Sequence, residues 1–394
     1  MKSRVIIAFA LILGFVSAAT HAEFRAGIAE ADVTPAKQMP VSGGLGTPGP
    51  TTQTRGRLQV RALVLDEGDT RVAIVSVPFI GFPGVLADRV RAKVDSVPGT
   101  NIMIGSTHTH SAPDMYAFLN EKGELTTDLD YISYVVENTA AAIDNAVVGL
   151  KPASIKTATA KANGKIAYNY YAPQLYDPRC DVLQAIGKDG KPFATIVNYA
   201  IHPEVLGPGR GILSPDLVGP LHDRIGEQGG GMAIFMNGAQ GGMVTADCRG
   251  PDGKDIQTWE ECIRIGHLLA DEALRIVSGA PVQEKPSLWC GAMQLTLPME
   301  NLLFQQIVKT SPLGYKLNDD NSVTTQLNVV NVGTAQMLTI PGEALPNIGY
   351  YLKRNMYGTS NFLLGLTNDA FGYLMTKEDF NSFDRYDYIC RTSL

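Results

Sequence analysis

Histidine is scarce in this sequence, with six residues among 394, and only two tryptophans and five cysteines accompany them. The cysteines never form a CxxC pair, which argues against a thiolate zinc site. Lys and Arg number 33 against 39 Asp and Glu, a formal net charge of −6, so the basic surface of a nucleic-acid binder is missing. The composition is 45% hydrophobic and 18% charged, which excludes wholesale disorder. No internal repeat, low-complexity tract or long charge run occurs. Beyond the N-terminus no apolar run approaches the roughly 20 residues of a membrane span, so no transmembrane anchor is expected. Forty Gly and 23 Pro point instead to a loop-rich chain.

At the N-terminus, Lys2 and Arg4 precede the apolar run Val5 to Val16, and Thr20-His21-Ala22 offers a small-residue cleavage site. This pattern predicts a secretory signal peptide over 1–22 and one large exported domain over 23–394, periplasmic or secreted. No Cys follows the apolar run, so a lipoprotein anchor is not expected. Export permits disulfides, but five cysteines (Cys180, Cys248, Cys262, Cys290, Cys390) leave at least one unpaired. Cys248 and Cys262, nearest in sequence, are the first candidates for a bond.

Runs at 60–65, 72–77, 101–104, 194–199 and 232–236 read as strands, several apolar throughout, as in strands covered on both faces. Gln326 to Val332 and Ala335 to Ile340, joined at Gly333-Thr334, read as a hairpin. Helices are expected over 130–148, stopped by Gly149 and Pro152, and over 258–278, where Ile263, Ala270, Leu274 and Val277 form the apolar stripe. Strands and helices interleave, so the fold class is α/β or α+β, a mixed β-sheet core flanked by helices in a single large domain.

Four apolar strands end in short polar clusters, the usual place for ligands in α/β proteins. The first cluster is Thr107-His108-Thr109-His110-Ser111. In an extended HxH both imidazoles share a side, so one can hold a metal while the other also ligates it or serves as acid and base. The second is His202-Pro203-Glu204, leading to Ser214-Pro215-Asp216. The third, Gly238 to Asp247, carries glycines that let backbone approach a substrate or present amides to an oxyanion. The fourth is Pro341-Gly342-Glu343. Each has a bland reading as a polar turn, a capping His or a surface Glu. Together, two or three His and one Glu form a zinc-hydrolase ligand set. His267, four residues after Ile263, is expected in the core of its helix. His222 is a capping or supporting residue, and Asp114 and Asp216 are weaker supporting candidates.

These residues resemble the neutral/alkaline, non-lysosomal ceramidase family. The similarity runs in order through Ala26 to Pro35, Arg57 to Asp66, the THTHS motif Thr107 to Ser111, Asn198 to Pro203, Gln240 to Asp247, Ile340 to Glu343, and Gly372 to Phe380. The resemblance implies one zinc per chain held by His108, His202, Glu343 and Tyr373, with His110 at the substrate carbonyl or moving the proton. It implies hydrolysis of an N-acyl amide such as ceramide, with a lipid or small acyl-amide substrate and transient contact with a membrane surface. It covers the family's catalytic domain and not its C-terminal immunoglobulin-like domain. Three positions depart from the pattern: Thr245 stands for the active-site Ser, Tyr170 for a substrate-contacting Arg, and Ala112 for a Gly. Thr245 and the amides around Gly241-Gly242 are expected to hold the substrate. Other readings are an amidohydrolase-type barrel, action on a different ester, lactone or amide, and a secreted binding protein that keeps the zinc scaffold without turnover.

Overall fold

The computed structural model describes residues 22–44, 48–120, 122–381 and 384–393. Except for Ala22, the expected signal peptide lies outside these residues. The first sheet holds β1 (Arg25–Asp32), β2 (Gln59–Glu67), β3 (Thr70–Val77) and β4 (Ile102–Ser106) in the order β4-β3-β2-β1. The β1–β2 and β2–β3 pairs are antiparallel and β3–β4 is parallel, so the sheet is mixed. Helix α1 (Gly84–Arg91) connects β3 to β4, and α2 (Leu129–Val148) follows β4. The Asp128 carboxylate caps α2 by accepting from Asp130 N and Tyr131 N, satisfying amides that have no partner inside the helix.

The second sheet holds β5 (Ser154–Lys161), β6 (Arg179–Ile186), β7 (Pro192–Tyr199) and β8 (Met232–Asn237) in the order β8-β7-β6-β5. Strands β7 and β8 are parallel and joined through α3 (Val218–Glu227), after which comes α4 (Trp259–Ser278). The third sheet begins with β9 (Leu288–Pro298), followed after α5 (Leu302–Thr310) by β10 (Ser322–Val332) and β11 (Ala335–Thr339). Strand β12 (Gly342–Ala344) and helix α6 (Pro346–Asn355) precede β13 (Ser360–Leu364), which completes this sheet by pairing in parallel with β11. Strand β14 (Phe371–Leu374) pairs in parallel with β12.

Period-two alternation builds the layers. On β2, Val60, Ala62 and Val64 pack with α1 and α2, while Leu63 and Leu65 face the second and third sheets. On β7, Val197 and Tyr199 pack with α3 and α4, while Ala194 and Ile196 face the first sheet's inner side. The result is helices, sheet, sheet, helices, with apolar side chains on both faces of the central strands. Each fully buried Val or Leu there contributes roughly 1.5–3 kcal/mol. This is the mixed-sheet, helix-flanked single domain expected from the sequence.

Helix α4 differs in its buried stripe. The residues that pack inward are Ile265, Leu269, Ala270, Ala273 and Val277, while Ile263, Leu274 and His267 lie half-buried on the flank. Gly266 sets the rotation: a Cβ there would sit 2.4 Å from Leu217 O, so the backbones of α3 and α4 meet at this glycine. His267 is therefore not a core residue. The five cysteines are all unpaired, which overturns the Cys248–Cys262 bond. The Cys262 thiol lies against the Asp216 carboxylate and the Cys248 thiol against Asp255, and burial first, then these carboxylates, raises both thiol pKa values.

Candidate metal centre

Four strand ends, drawn from all three sheets, meet at one place. Strand β4 runs into the Thr107–Ser111 segment, β7 into His202, β8 into the glycine-rich turn, and β11 through Pro341 into Glu343. Asn237, fully buried at the end of β8, fastens the two histidine loops: its Nδ2 donates to Thr107 O (3.1 Å) and Ile201 O (2.8 Å). Its Oδ1 accepts from Ile201 N (3.2 Å) and Gly238 N (2.9 Å). Asn198 does the same between sheets, donating to Met236 O, Asn237 O and Leu363 O and accepting from Leu363 N.

The THTHS segment is not a plain extended strand. His108 has φ of 72°, a conformation that costs a non-glycine residue on the order of 1–3 kcal/mol and recurs where geometry serves function. Through this kink the rings of His108 and His110 sit edge to face, 4.8 Å apart. The neighbouring hydroxyls are tied elsewhere, Thr109 Oγ1 donating to Ser214 O and Ser111 Oγ to Gly207 O. The shared side expected for the two imidazoles is present, but a left-handed residue produces it.

His108 and His202 are buried, and their outer nitrogens are committed. His108 Nδ1 lies 2.5 Å from Ile80 O, and His202 Nδ1 lies 2.8 Å from Val244 O. A carbonyl only accepts, so each Nδ1 carries a hydrogen, which leaves Nε2 facing inward as the atom that holds either a second proton or a metal. Both Nε2 atoms face Glu343 Oε2, at 3.5 Å from His108 and 3.2 Å from His202. Three acceptors facing one another repel unless a proton or cation lies between them. Ligand atoms about 2.0–2.1 Å from a tetrahedral zinc are separated by about 3.4 Å, which is the spacing found. The backbone-anchored Nδ1–H groups are the outer support that metal-binding imidazoles commonly have.

Without a metal, a proton can fill that place at His202. Burial alone would lower the His202 pKa, but the Glu343 hydrogen bond and the charges of Glu204 and Glu343 raise it to about 9. Burial would raise the Glu343 carboxyl, yet His108 and His202 hold it well below the usual range. His110 is pushed well below its ordinary value by burial and by His108 and His202. Its Nε2 is buried with no hydrogen-bond partner. His108, His110 and His202 each offer one ring nitrogen, all within 4.8 Å of one another, a group that could hold a metal ion.

Tyr373 reaches the cluster through strand pairing. Tyr373 on β14 is the register partner of Glu343 on β12, so the two side chains share a face. Its hydroxyl points at Met243 Sδ (3.3 Å), and burial and then Glu343 raise the phenol pKa. Thr245 pairs with His202 as an isolated bridge, and its Oγ1 donates to Glu204 Oε1 at 2.5 Å. Glu204 Oε2 in turn lies 3.7 Å from His110 Nδ1. Glu204 is the residue the sequence reading passed over. Its signal was a carboxylate two positions beyond a strand-end His, but its partners are remote in sequence.

Several expected roles fall elsewhere. The Gly241 amide donates to Ala344 O (2.9 Å), and a Cβ at Gly241 would lie 2.1 Å from Glu343 O. This glycine lets the turn seat against the Glu343 strand, and its amide is not open to an oxyanion. Asp216 accepts from Leu206 N and Leu217 N, and Asp114 from Tyr116 N and Phe118 N, so both shape loops. His222 is buried on α3 near Arg61 and stands outside the cluster. Tyr170 is 63% exposed at the rim, edge-on to Tyr171, which in turn packs on Tyr386.

The four-layer α/β arrangement is a fold that solved ceramidases share. The chain is similar to the crystal structure of neutral ceramidase from Pseudomonas aeruginosa, with a TM-score of 0.76 and 16% identity over 94% of this chain and 71% of that one. A ceramidase complexed with C2 is similar to the same degree, with a TM-score of 0.75, 16% identity, and 94% and 72% of the two chains covered. At this identity the likeness is one of fold. No family model and no curated protein sequence matches the chain.

Proposed function

We propose that this chain is an exported, zinc-dependent hydrolase of the neutral ceramidase type that cleaves an N-acyl amide, ceramide or a related acyl amide. The observation that carries the proposal is that Glu343 Oε2 lies 3.5 Å from His108 Nε2 and 3.2 Å from His202 Nε2 with both Nδ1 atoms already engaged. One zinc per chain would be held by these three side chains and Tyr373, whose strand register sets it opposite Glu343. Zinc in such a set lowers the pKa of a water towards about 7 and polarises a carbonyl.

The chain's own residues supply the proton traffic. His110 Nε2 is buried and unpartnered, which leaves its lone pair free to take a proton from the attacking water. The water oxygen bonds to the acyl carbon, the C–N bond breaks, and His110 returns the proton to the departing nitrogen. The products are a carboxylic acid and an amine. Thr245, bonded to Glu204, borders the same space. Among the described residues no helix is long and apolar enough to cross a membrane, consistent with a substrate met at a membrane surface or in solution.

Two departures favour a second reading, in which the same centre acts on another ester, lactone or amide. The Thr245 hydroxyl is occupied by Glu204, and Tyr170 offers a neutral ring where the resemblance calls for a guanidinium. Metal analysis with turnover of a panel of fluorogenic N-acyl amides and esters, on wild type, His108→Ala and Glu343→Ala, tests both. The expected result is one zinc in wild type, none in the variants, and amide cleavage by wild type alone. Full activity in both variants without bound zinc would end the zinc-dependent reading, and ester turnover alone would favour the second.

A further inference from the structure

We infer that Glu204 is a positioning residue that fixes the ring of His110, and that Thr245 acts by holding Glu204 rather than by touching substrate. The inference rests on the hydrolase reading, in which His110 Nε2 receives a proton. For that task Nε2 must carry a lone pair, so Nδ1 must carry the hydrogen. His108 and His202 have their Nδ1 hydrogens directed at backbone carbonyls; His110 interacts with the Gly43 backbone, and the side-chain group at its Nδ1 is Glu204 Oε2, 3.7 Å away. That contact is longer than a hydrogen bond, and such contacts often tighten only when substrate is bound. The carboxylate is aimed by its other oxygen: Thr245 Oγ1 donates to Glu204 Oε1, and Glu204 N donates to His202 O (3.0 Å), so the side chain leaves from a fixed turn. The order Thr245, Glu204, His110 thus runs from an anchored hydroxyl to a ring whose far nitrogen is buried and unpartnered.

Glu204→Gln reverses the instruction without changing the shape. Thr245 would still donate to Oε1, the amide NH2 would face Nδ1, and a donor there selects the opposite tautomer, with hydrogen on Nε2. The test is 15N-histidine spectroscopy of the zinc-loaded chain, with the His110 signal assigned by its loss in His110→Gln. The expected result is an Nδ1–H ring in wild type and an Nε2–H ring in Glu204→Gln. In the same proteins, kcat on an N-acyl amide should fall roughly 10–100-fold in Glu204→Gln, as for residues that orient catalytic groups. KM should hold within about twofold, zinc content should not change, and Glu204→Asp should recover part of kcat. Thr245→Val should lower kcat by less than Glu204→Gln does. The same tautomer in both proteins, or loss of zinc from Glu204→Gln, would overturn the inference. A tautomer switch in a wild-type chain that cleaves no amide would uphold the positioning and count against the hydrolase reading alone.

Discussion

Two buried charge clusters lie at different places in this fold, and they are built in opposite ways. Lys353 on α6 reaches Asp181 (2.8 Å) and Asp177 (3.1 Å), and Arg179 pairs with Asp177 (2.8 Å). Thr159 completes that group by donating to Asp181. Two cations face two carboxylates, and burial is offset by hydrogen bonds within the cluster. At the strand ends, by contrast, three imidazoles surround one carboxylate, two of them fixed as inward acceptors, and the third has a buried nitrogen with no partner. A cluster complete in itself ties a helix to a sheet. A cluster whose inward ring nitrogens share one carboxylate is shaped to take up a cation, whether a proton or a metal.

Breaking each cluster separates the two logics. The largest effect is expected at the strand ends: Glu343→Ala should abolish zinc binding and hydrolysis, yet leave a folded chain, as measured by metal analysis and circular dichroism. Lys353→Met should do the reverse. Removing one partner of a buried pair costs about 3–5 kcal/mol, so the denaturation midpoint should drop sharply while the folded protein still holds one zinc. Asn237→Ala strikes the clamp beneath the histidine loops, and zinc affinity should fall roughly 10–100-fold in a chelator competition.

Acidity sharpens the comparison further. The His202 pKa is raised to about 9 from an ordinary 6.5. Its contribution to stability is therefore full below about pH 6.5 and lost as pH rises through about 9. Zinc, in contrast, binds deprotonated ligands. The gap in melting temperature between zinc-loaded and chelator-treated protein should thus widen from pH 6.5 to 9. A constant gap would mean that the imidazoles do not titrate with the metal. The smallest effect belongs to the rim, where Tyr170→Ala should shift stability by no more than about 0.5 kcal/mol and act on KM.

Much of this was legible in the sequence because burial on both faces leaves an apolar run. Strands β2, β3, β4, β7 and β8 announced themselves that way, and Gly333-Thr334 marked the β10–β11 hairpin. The strand-end clusters were visible as clusters, since His108, His202 and Glu343 each follow an apolar run. What sequence could not carry was contact at a distance. The meeting of Glu204 with Thr245 and His110, and the clamp of Asn237 on Thr107 and Ile201, join residues up to 130 positions apart. The rotation of α4 was hidden for a similar reason, because it is decided by the backbone of α3 against Gly266 and not by the helix's own stripe. The left-handed turn at His108 carries no local signature, since a positive φ is uncommon outside glycine and the enrichment of His there is too slight to single out one position.

One measurement bears most directly on the strand-end cluster: anomalous diffraction on either side of the zinc absorption edge from crystals of the purified protein. The account predicts a single peak about 2.0–2.2 Å from His108 Nε2, His202 Nε2 and a Glu343 oxygen, with Tyr373 completing the set. No peak after zinc loading, or a peak ligated by His110 in place of Glu343, would contradict it.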